Sequence, residues 1–155
     1  MDAVRVARVD ERADLVELQR RASLANPGDR AALEAHPEAV NTPEEQFVAG
    51  QVIVAESEGA VTGFASYVPR DDGGLELDAL FVEPDRQRRG VAMALIRWGV
   101  EFAQRSGVSS IHVIGNPHAR EFYLAAGFTE LGTAETLFGP ATEYLLRVPE
   151  SAARL

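Results

Sequence analysis

The chain has 155 residues, 46% of them hydrophobic and 25% charged, the composition of a single globular domain spanning 1–155 that can bury roughly 70% of the surface its unfolded form exposes. Cysteine is absent, which excludes a disulfide framework, a thiolate metal site and a cysteine nucleophile. The formal net charge of −9 argues against general nucleic-acid binding and mildly favours a cationic partner, although an acidic surface also serves plain solubility.

Lysine is absent too, so all fifteen basic side chains are arginines. No apolar run is long enough to cross a bilayer, and the first eleven residues carry charge with no apolar signal core. The expectation is a cytoplasmic protein with no membrane partner. Against the acidic background one basic cluster stands out: Arg86, Arg88 and Arg89, with Gln87 between them.

In chain order, Val4, Val6 and Arg8 alternate with Arg5 and Ala7, which predicts a short strand. Asp10 is placed to cap a helix on which Leu15, Leu18, Ala22 and Ala25 recur at helical spacing, until Pro27-Gly28 stops the run. A short helix over Asp29 to His36, closed by Pro37, follows. Thr42-Pro43-Glu44-Glu45 combines a capping box with proline at the first helical position, and Gly50 ends that helix. Three extended segments come next: Val52 to Glu56, Val61 to Val68 and Leu75 to Val82. The short turns between them, Ser57-Glu58-Gly59 and Asp71-Asp72-Gly73-Gly74, predict an antiparallel meander. Val91, Leu95, Trp98 and Phe102 then mark one face of a helix ending near Ser106-Gly107, with Trp98 and Phe102 expected in the core. Ile111 to Ile114 reads as a buried strand and Pro117 to Ala126 as a helix capped by Gly127. Phe128 to Leu131 and Thr142 to Val148 close the chain as strands. The fold class is α+β (mixed α/β), with helices covering a central twisted sheet of about seven strands.

Leu75 to Met93 carries the chemistry. A strand ends at Val82-Glu83-Pro84, an arginine-rich loop follows, and Gly90-Val91-Ala92 opens a long amphipathic helix. The first turn of a helix offers free N–H groups and a partial positive charge. Gly90 and Ala92 let a ligand approach that backbone closely, and the arginines add full charge beside it. Together these make a pyrophosphate site. The plain alternative for Gly90 is chain reversal. No Gly-x-x-x-x-Gly-Lys-Ser/Thr and no Gly-x-Gly-x-x-Gly follows a strand, which lowers the odds for nucleoside triphosphates and for nicotinamide or flavin cofactors.

The run Gln87-Arg88-Arg89-Gly90-Val91-Ala92 resembles the pyrophosphate motif Gln/Arg-x-x-Gly-x-Gly/Ala of the GNAT superfamily, the acyl-CoA-dependent N-acetyltransferases. Asn116-Pro117-His118-Ala119, followed by Phe122-Tyr123 and Gly127-Phe128, resembles that family's second element, at the family's separation. The resemblance implies a GNAT-like fold over nearly the whole chain and acetyl-CoA as co-substrate. It implies that the amides of Arg88 through Met93, with Gln87 at the head of the motif, cradle the coenzyme A pyrophosphate. The backbone at Phe81 and Val82 would pair with the pantetheine arm, and Asn116 would contact that arm. A bulge in the Leu75–Val82 strand would splay it from the Ile111–Ile114 strand and leave room for the thioester.

The reaction implied is direct attack of a primary amine, on a small molecule or a protein, upon the acetyl thioester. An alkylamine with a pKa near ~10 must first lose its proton to a base or to water. Tyr123 stands where the family often places its acid, and packing between helix and sheet is its alternative role. Glu76 aligns with the glutamate base of some family members. Asp78, two residues on and on the same strand face, is the fallback, and a solvated strand face explains both equally well. His118 reads as an exposed first-turn residue. His36 and His112 share no metal-ligand spacing with a carboxylate, so no metal is expected. Ser66 and Ser109 lack a nucleophile elbow. By the same resemblance, Asp10 to Gln51 would wall the acceptor pocket on one side and Leu137-Phe138-Gly139-Pro140 on the other. The acidic first wall suits a cationic amine or is ordinary wet surface. The alternative to an enzyme is a noncatalytic acyl-CoA-binding sensor. A monomer or a homodimer is expected, with the tail Pro149 to Leu155 fraying.

Overall fold

A computed structural model describes residues 3–25, 30–115, 119–136 and 139–150. Its strands are β1 (Ala3–Val6), β2 (Val52–Ser57), β3 (Ala60–Pro69), β4 (Leu75–Val82), β5 (Ser110–Gly115), β6 (Thr129–Thr136) and β7 (Gly139–Arg147). Its helices are α1 (Arg12–Leu24), α2 (Arg30–Ala35), α3 (Glu44–Val48), α4 (Val91–Ser106) and α5 (Arg120–Ala125). The strands form one seven-stranded mixed sheet in the order β1-β2-β3-β4-β5-β7-β6. The β4/β5 pair is parallel, and β1/β2, β2/β3, β5/β7 and β6/β7 are antiparallel. This is the expected mixed α/β class and element order. The last hairpin is longer than its hydrophobic residues predict, because alternating threonines, glycines and glutamates continue β6 along β7 with no apolar signal of their own.

The chain folds as two compact units, Met1–Ser66 with Ala79–Leu95, and Tyr67–Asp78 with Ile96–Leu155. In the first, Leu15, Leu18 and Ala22 fall on one side of α1 and are buried with Phe47, Val52, Val54 and Phe64. Each buried leucine contributes about 1.5–3 kcal/mol relative to exposure, so truncating Leu18 would loosen α1 first. Two capping expectations are corrected here. Asp10 does not cap α1. It lies in a 3-10 turn, Val9–Glu11, and Glu11 instead accepts the Arg8 N–H at 2.8 Å. Thr42 does not cap α3 either. Its buried hydroxyl donates to Gln19 Oε1 at 2.9 Å, a partner 23 residues away that no local pattern reveals.

In the second unit the apolar side chains of β5 and β7 meet α5. Ile111, Val113, Tyr144, Leu146, Tyr123 and Phe128 are all buried. Within α4 the buried positions are Val91, Leu95, Ile96 and Ala103. Trp98 and Phe102 are only half-buried, their rings stacked at 5.4 Å, which corrects the expectation that they form the core. The helical stripe is one position wider than the aromatic spacing suggests, and aliphatic residues with Gly99, rather than rings, take its deepest line. Gly99 permits this, because Tyr67 fills the space a Cβ would need there.

Candidate functional site

The arginine-rich loop leaves β4 at Val82. Glu83 precedes a 3-10 turn, Pro84–Arg86, and donates its N–H to the Thr62 carbonyl at 2.9 Å. Arg88 (φ 65) and Gly90 (φ 83) both adopt left-handed backbone, which folds the loop back onto the start of α4. Arg88 bears that strain with a side chain, whereas Gly90 escapes it. A Cβ at Gly90 would meet nothing within 4 Å, so glycine is required there by conformation and the space above it is open. The helical ladder begins with Ala94 N–H donating to the Gly90 carbonyl at 3.0 Å, which leaves the N–H groups of the preceding turn outside it.

Gln87, Arg88, Arg89 and Gly90 are exposed, Val91 is buried, and Ala92 and Met93 are half-buried. Among the described residues, Arg86, Arg88 and Arg89 enter no ion pair. Exposed guanidiniums without counter-charges beside open helix N–H groups fit a dianionic pyrophosphate in chemistry and in access. Phe81 and Val82, at the end of β4, are half-buried, with the Phe81 ring 5.6 Å from that of Phe64.

Sequence reasoning missed the residue that seats this loop. Gly63 on β3 lies against the end of β4 and the start of α4. A Cβ there would fall 2.8 Å from the Phe81 carbonyl oxygen and 2.9 Å from Val91 Cγ1. Only the absence of a side chain allows that approach. The signal available was a glycine inside an otherwise β-branched and aromatic strand.

In the second unit Tyr123 lies on α5 and is buried, 7% exposed. Its ring packs against Phe122, Phe128 and Tyr144, the last at 4.8 Å. Gly115, at the end of β5, makes room for it, since a Cβ there would fall 2.6 Å from Tyr123 Cε2. The C-terminus of α5 closes with Gly127 in left-handed backbone and Phe128 N–H donating to the Tyr123 carbonyl at 3.0 Å, which fixes Phe128 against the tyrosine. Burial, and then the field of Tyr144, push the Tyr123 phenol well above its ordinary value of 10.

Glu76 and Asp78 do share one face of β4, alternating with buried Leu75 and Leu77. Asp78 is exposed. Glu76 is half-buried and accepts a short hydrogen bond from the Arg70 guanidinium. With Pro69, Arg70, Asp71 and Asp72 it lines a cavity of about 430 Å³. The β4/β5 register places His112 directly beside Glu76, with its Nδ1 buried and unpartnered among the described residues. In the parallel β4/β5 ladder Leu75 registers with Ile111 and Glu76 with His112, and Val113 and Ile114 register with Tyr144 and Glu143 of β7. Asn116 and His118, with Leu137 and Phe138, lie outside the described residues. Among the described residues no group of three or more His, Asp or Glu is arranged to hold a metal ion.

The family comparison covers both units. Residues 14–128 match the acetyltransferase (GNAT) family model. Human N-acetyltransferase 8 is 34% identical over 87 residues, which span 51% of this chain and 38% of that protein. The PaiA N-acetyltransferase of Thermoplasma acidophilum, whose crystal structure holds coenzyme A, superposes with a TM-score of 0.80 at 15% identity over 95% of this chain and 99% of the other. YncA of Salmonella typhimurium, a putative acetyltransferase solved with acetyl-CoA, gives a TM-score of 0.73 at 21% identity over 98% and 96%. The ribosomal-protein-S18-alanine N-acetyltransferase of Escherichia coli gives 0.72 at 20% over 100% and 99%. These structures share the fold, and the family model spans the loop, both candidate carboxylates and Tyr123: the chain belongs to the acetyltransferase (GNAT) family.

Proposed function

We propose that the whole chain acts as one cytoplasmic acetyltransferase domain that transfers the acetyl group of acetyl-CoA to a primary amine. The observation that carries this reading is the loop itself. It has three arginines that enter no ion pair among the described residues, a left-handed Gly90 with open space above it, and helix N–H groups outside the ladder. Its residues stand in the order of the family's pyrophosphate motif. Acetyl-CoA supplies an activated thioester. Arg88 through Met93 hold the pyrophosphate, and the Phe81–Val82 backbone pairs with the pantetheine arm. Asn116 contacts that arm.

In the transfer a C–N bond forms as the C–S bond breaks. The amine gives up a proton and the departing sulfur gains one. Tyr123 is the donor to sulfur. Burial keeps its phenol protonated throughout the physiological range. Glu76 is engaged by Arg70, so water is the proposed carrier of the amine proton, with Glu76 and the exposed Asp78 as the side-chain alternatives. The acceptor class that the chain's acidity supports is a cationic amine, on a small molecule or a protein.

The same two features support a second reading. A tyrosine packed among Phe122, Phe128 and Tyr144, and a glutamate engaged by arginine, also suit a chain that binds acyl-CoA as a sensor without turnover. Calorimetric titration with acetyl-CoA, coupled to thiol release over a panel of amines, separates the readings. Binding with acceptor-dependent release supports the enzyme. Binding with none across small and protein amines supports the sensor. No binding overturns both.

A further inference from the structure

Glu83 begins the arginine-rich loop, and its carboxylate stands within a few residues of Arg86, Arg88 and Arg89. Left free, it joins the exposed Asp85 as an anion close enough along the chain to compete with a phosphate for those guanidiniums. It is not left free. Arg21, in the last turn of α1, takes both of its oxygens in a fork, Nε to Oε1 at 3.0 Å and Nη2 to Oε2 at 2.7 Å. Glu83's backbone is pinned as well, its N–H on the Thr62 carbonyl and its carbonyl accepting Arg86 N–H at 2.8 Å. The loop arginines enter no ion pair among the described residues. The pair lines a cavity of about 210 Å³ with Glu11, Asp14, Leu15, Leu18 and Val61. The Arg21 side chain is 52% exposed and that of Glu83 22%. A pair so exposed adds little to global stability. Its bidentate geometry on one named carboxylate is better explained by what it does to that carboxylate.

We propose that Arg21 is a positioning residue for coenzyme A binding: it sequesters Glu83 so that Arg86, Arg88 and Arg89 remain available to the pyrophosphate. This rests on the coenzyme A reading of the loop. It makes the affinity for the co-substrate depend on α1, an element outside the motif.

The test is calorimetric titration of the full chain with coenzyme A, for wild type, Arg21→Gln, Glu83→Gln and the double variant. Thermal unfolding of each checks that the fold is kept. Arg21→Gln should weaken binding roughly tenfold, because it releases an anion into the phosphate site. Glu83→Gln should bind at least as well as wild type. The double variant should recover most of the loss, which no structural staple would do, since neither change rebuilds the contact. Pantetheine, which lacks the pyrophosphate, should bind all four alike. Unchanged affinity in Arg21→Gln, or a double variant as weak as Arg21→Gln, overturns the proposal. Failure of wild type to bind coenzyme A at all would instead sink the reading of the loop on which it rests.

Discussion

In the loop after β4 the arginines enter no ion pair among the described residues and Arg88 and Arg89 are exposed, whereas the Tyr123 phenol is buried among rings and keeps its proton. Each arrangement suits the role proposed for it. A phosphate must be reached from water and met by charge and N–H groups that no internal partner has claimed. Burial disfavours the ionised form of the Tyr123 phenol, so the group holds its proton at neutral pH. Both regions rest on a glycine inside a strand. Gly63 lets the Phe81 carbonyl and Val91 close over it, and Gly115 lets the Tyr123 ring lie flat on the sheet. Removing a side chain in one place thus positions backbone, and in the other positions a ring.

The comparison breaks most visibly at Tyr123. With an accepted amine, Tyr123→Phe should lower turnover by about 10²-fold or more while acetyl-CoA affinity stays within about twofold, read by steady-state kinetics and calorimetry. Full turnover across pH would remove the tyrosine as acid. Since burial raises the phenol, wild type should show no alkaline loss of rate from this group below its ordinary value of 10.

The two glycines sharpen the contrast at the next scale. Gly63→Ala and Gly115→Ala should each cost about 1–3 kcal/mol of stability by overpacking, measured by denaturant unfolding. Their kinetic signatures should differ: Gly63→Ala should raise KM for acetyl-CoA and Gly115→Ala should lower kcat. Identical signatures would mean that the two seats are not specialised. Smaller again, acetyl-CoA affinity should fall as ionic strength rises, because the loop's charges are exposed and therefore screened, while pantetheine affinity should not.

The smallest effect concerns Glu11. Hydrogen bonds from Arg5, opposed by desolvation and helped by the Arg8 N–H, lower its carboxyl from 4.5 to about 2. A carboxyl lowered in the folded state stabilises the fold above its unfolded value, and that stabilisation is lost as pH falls from 4.5 toward 2. Acid unfolding followed by circular dichroism should therefore be shallower in Glu11→Gln over that window. An unchanged slope would show that other carboxylates govern acid stability.

Local pattern was enough for the order of elements and for the position of the arginine-rich loop. Helical and strand periodicities are local, and so is the run Gln87 to Ala92, which lies at one helix start. Local pattern also placed Glu76 and Asp78 on one strand face, because the period of a strand is fixed by geometry. Tertiary structure decided what depended on distant partners. Thr42 bonds Gln19 instead of capping its helix, Trp98 and Phe102 stop halfway into the core, and Arg70 claims Glu76. Gly63 and Gly115 acquire roles only once another element lies over them. Arg21 reads as an ordinary exposed helix residue until the fold brings Glu83, 62 positions away, within its reach. Spacing along a chain reveals which side of an element faces inward. How deep that side goes, and which charge meets which, is set by chain segments that spacing does not connect.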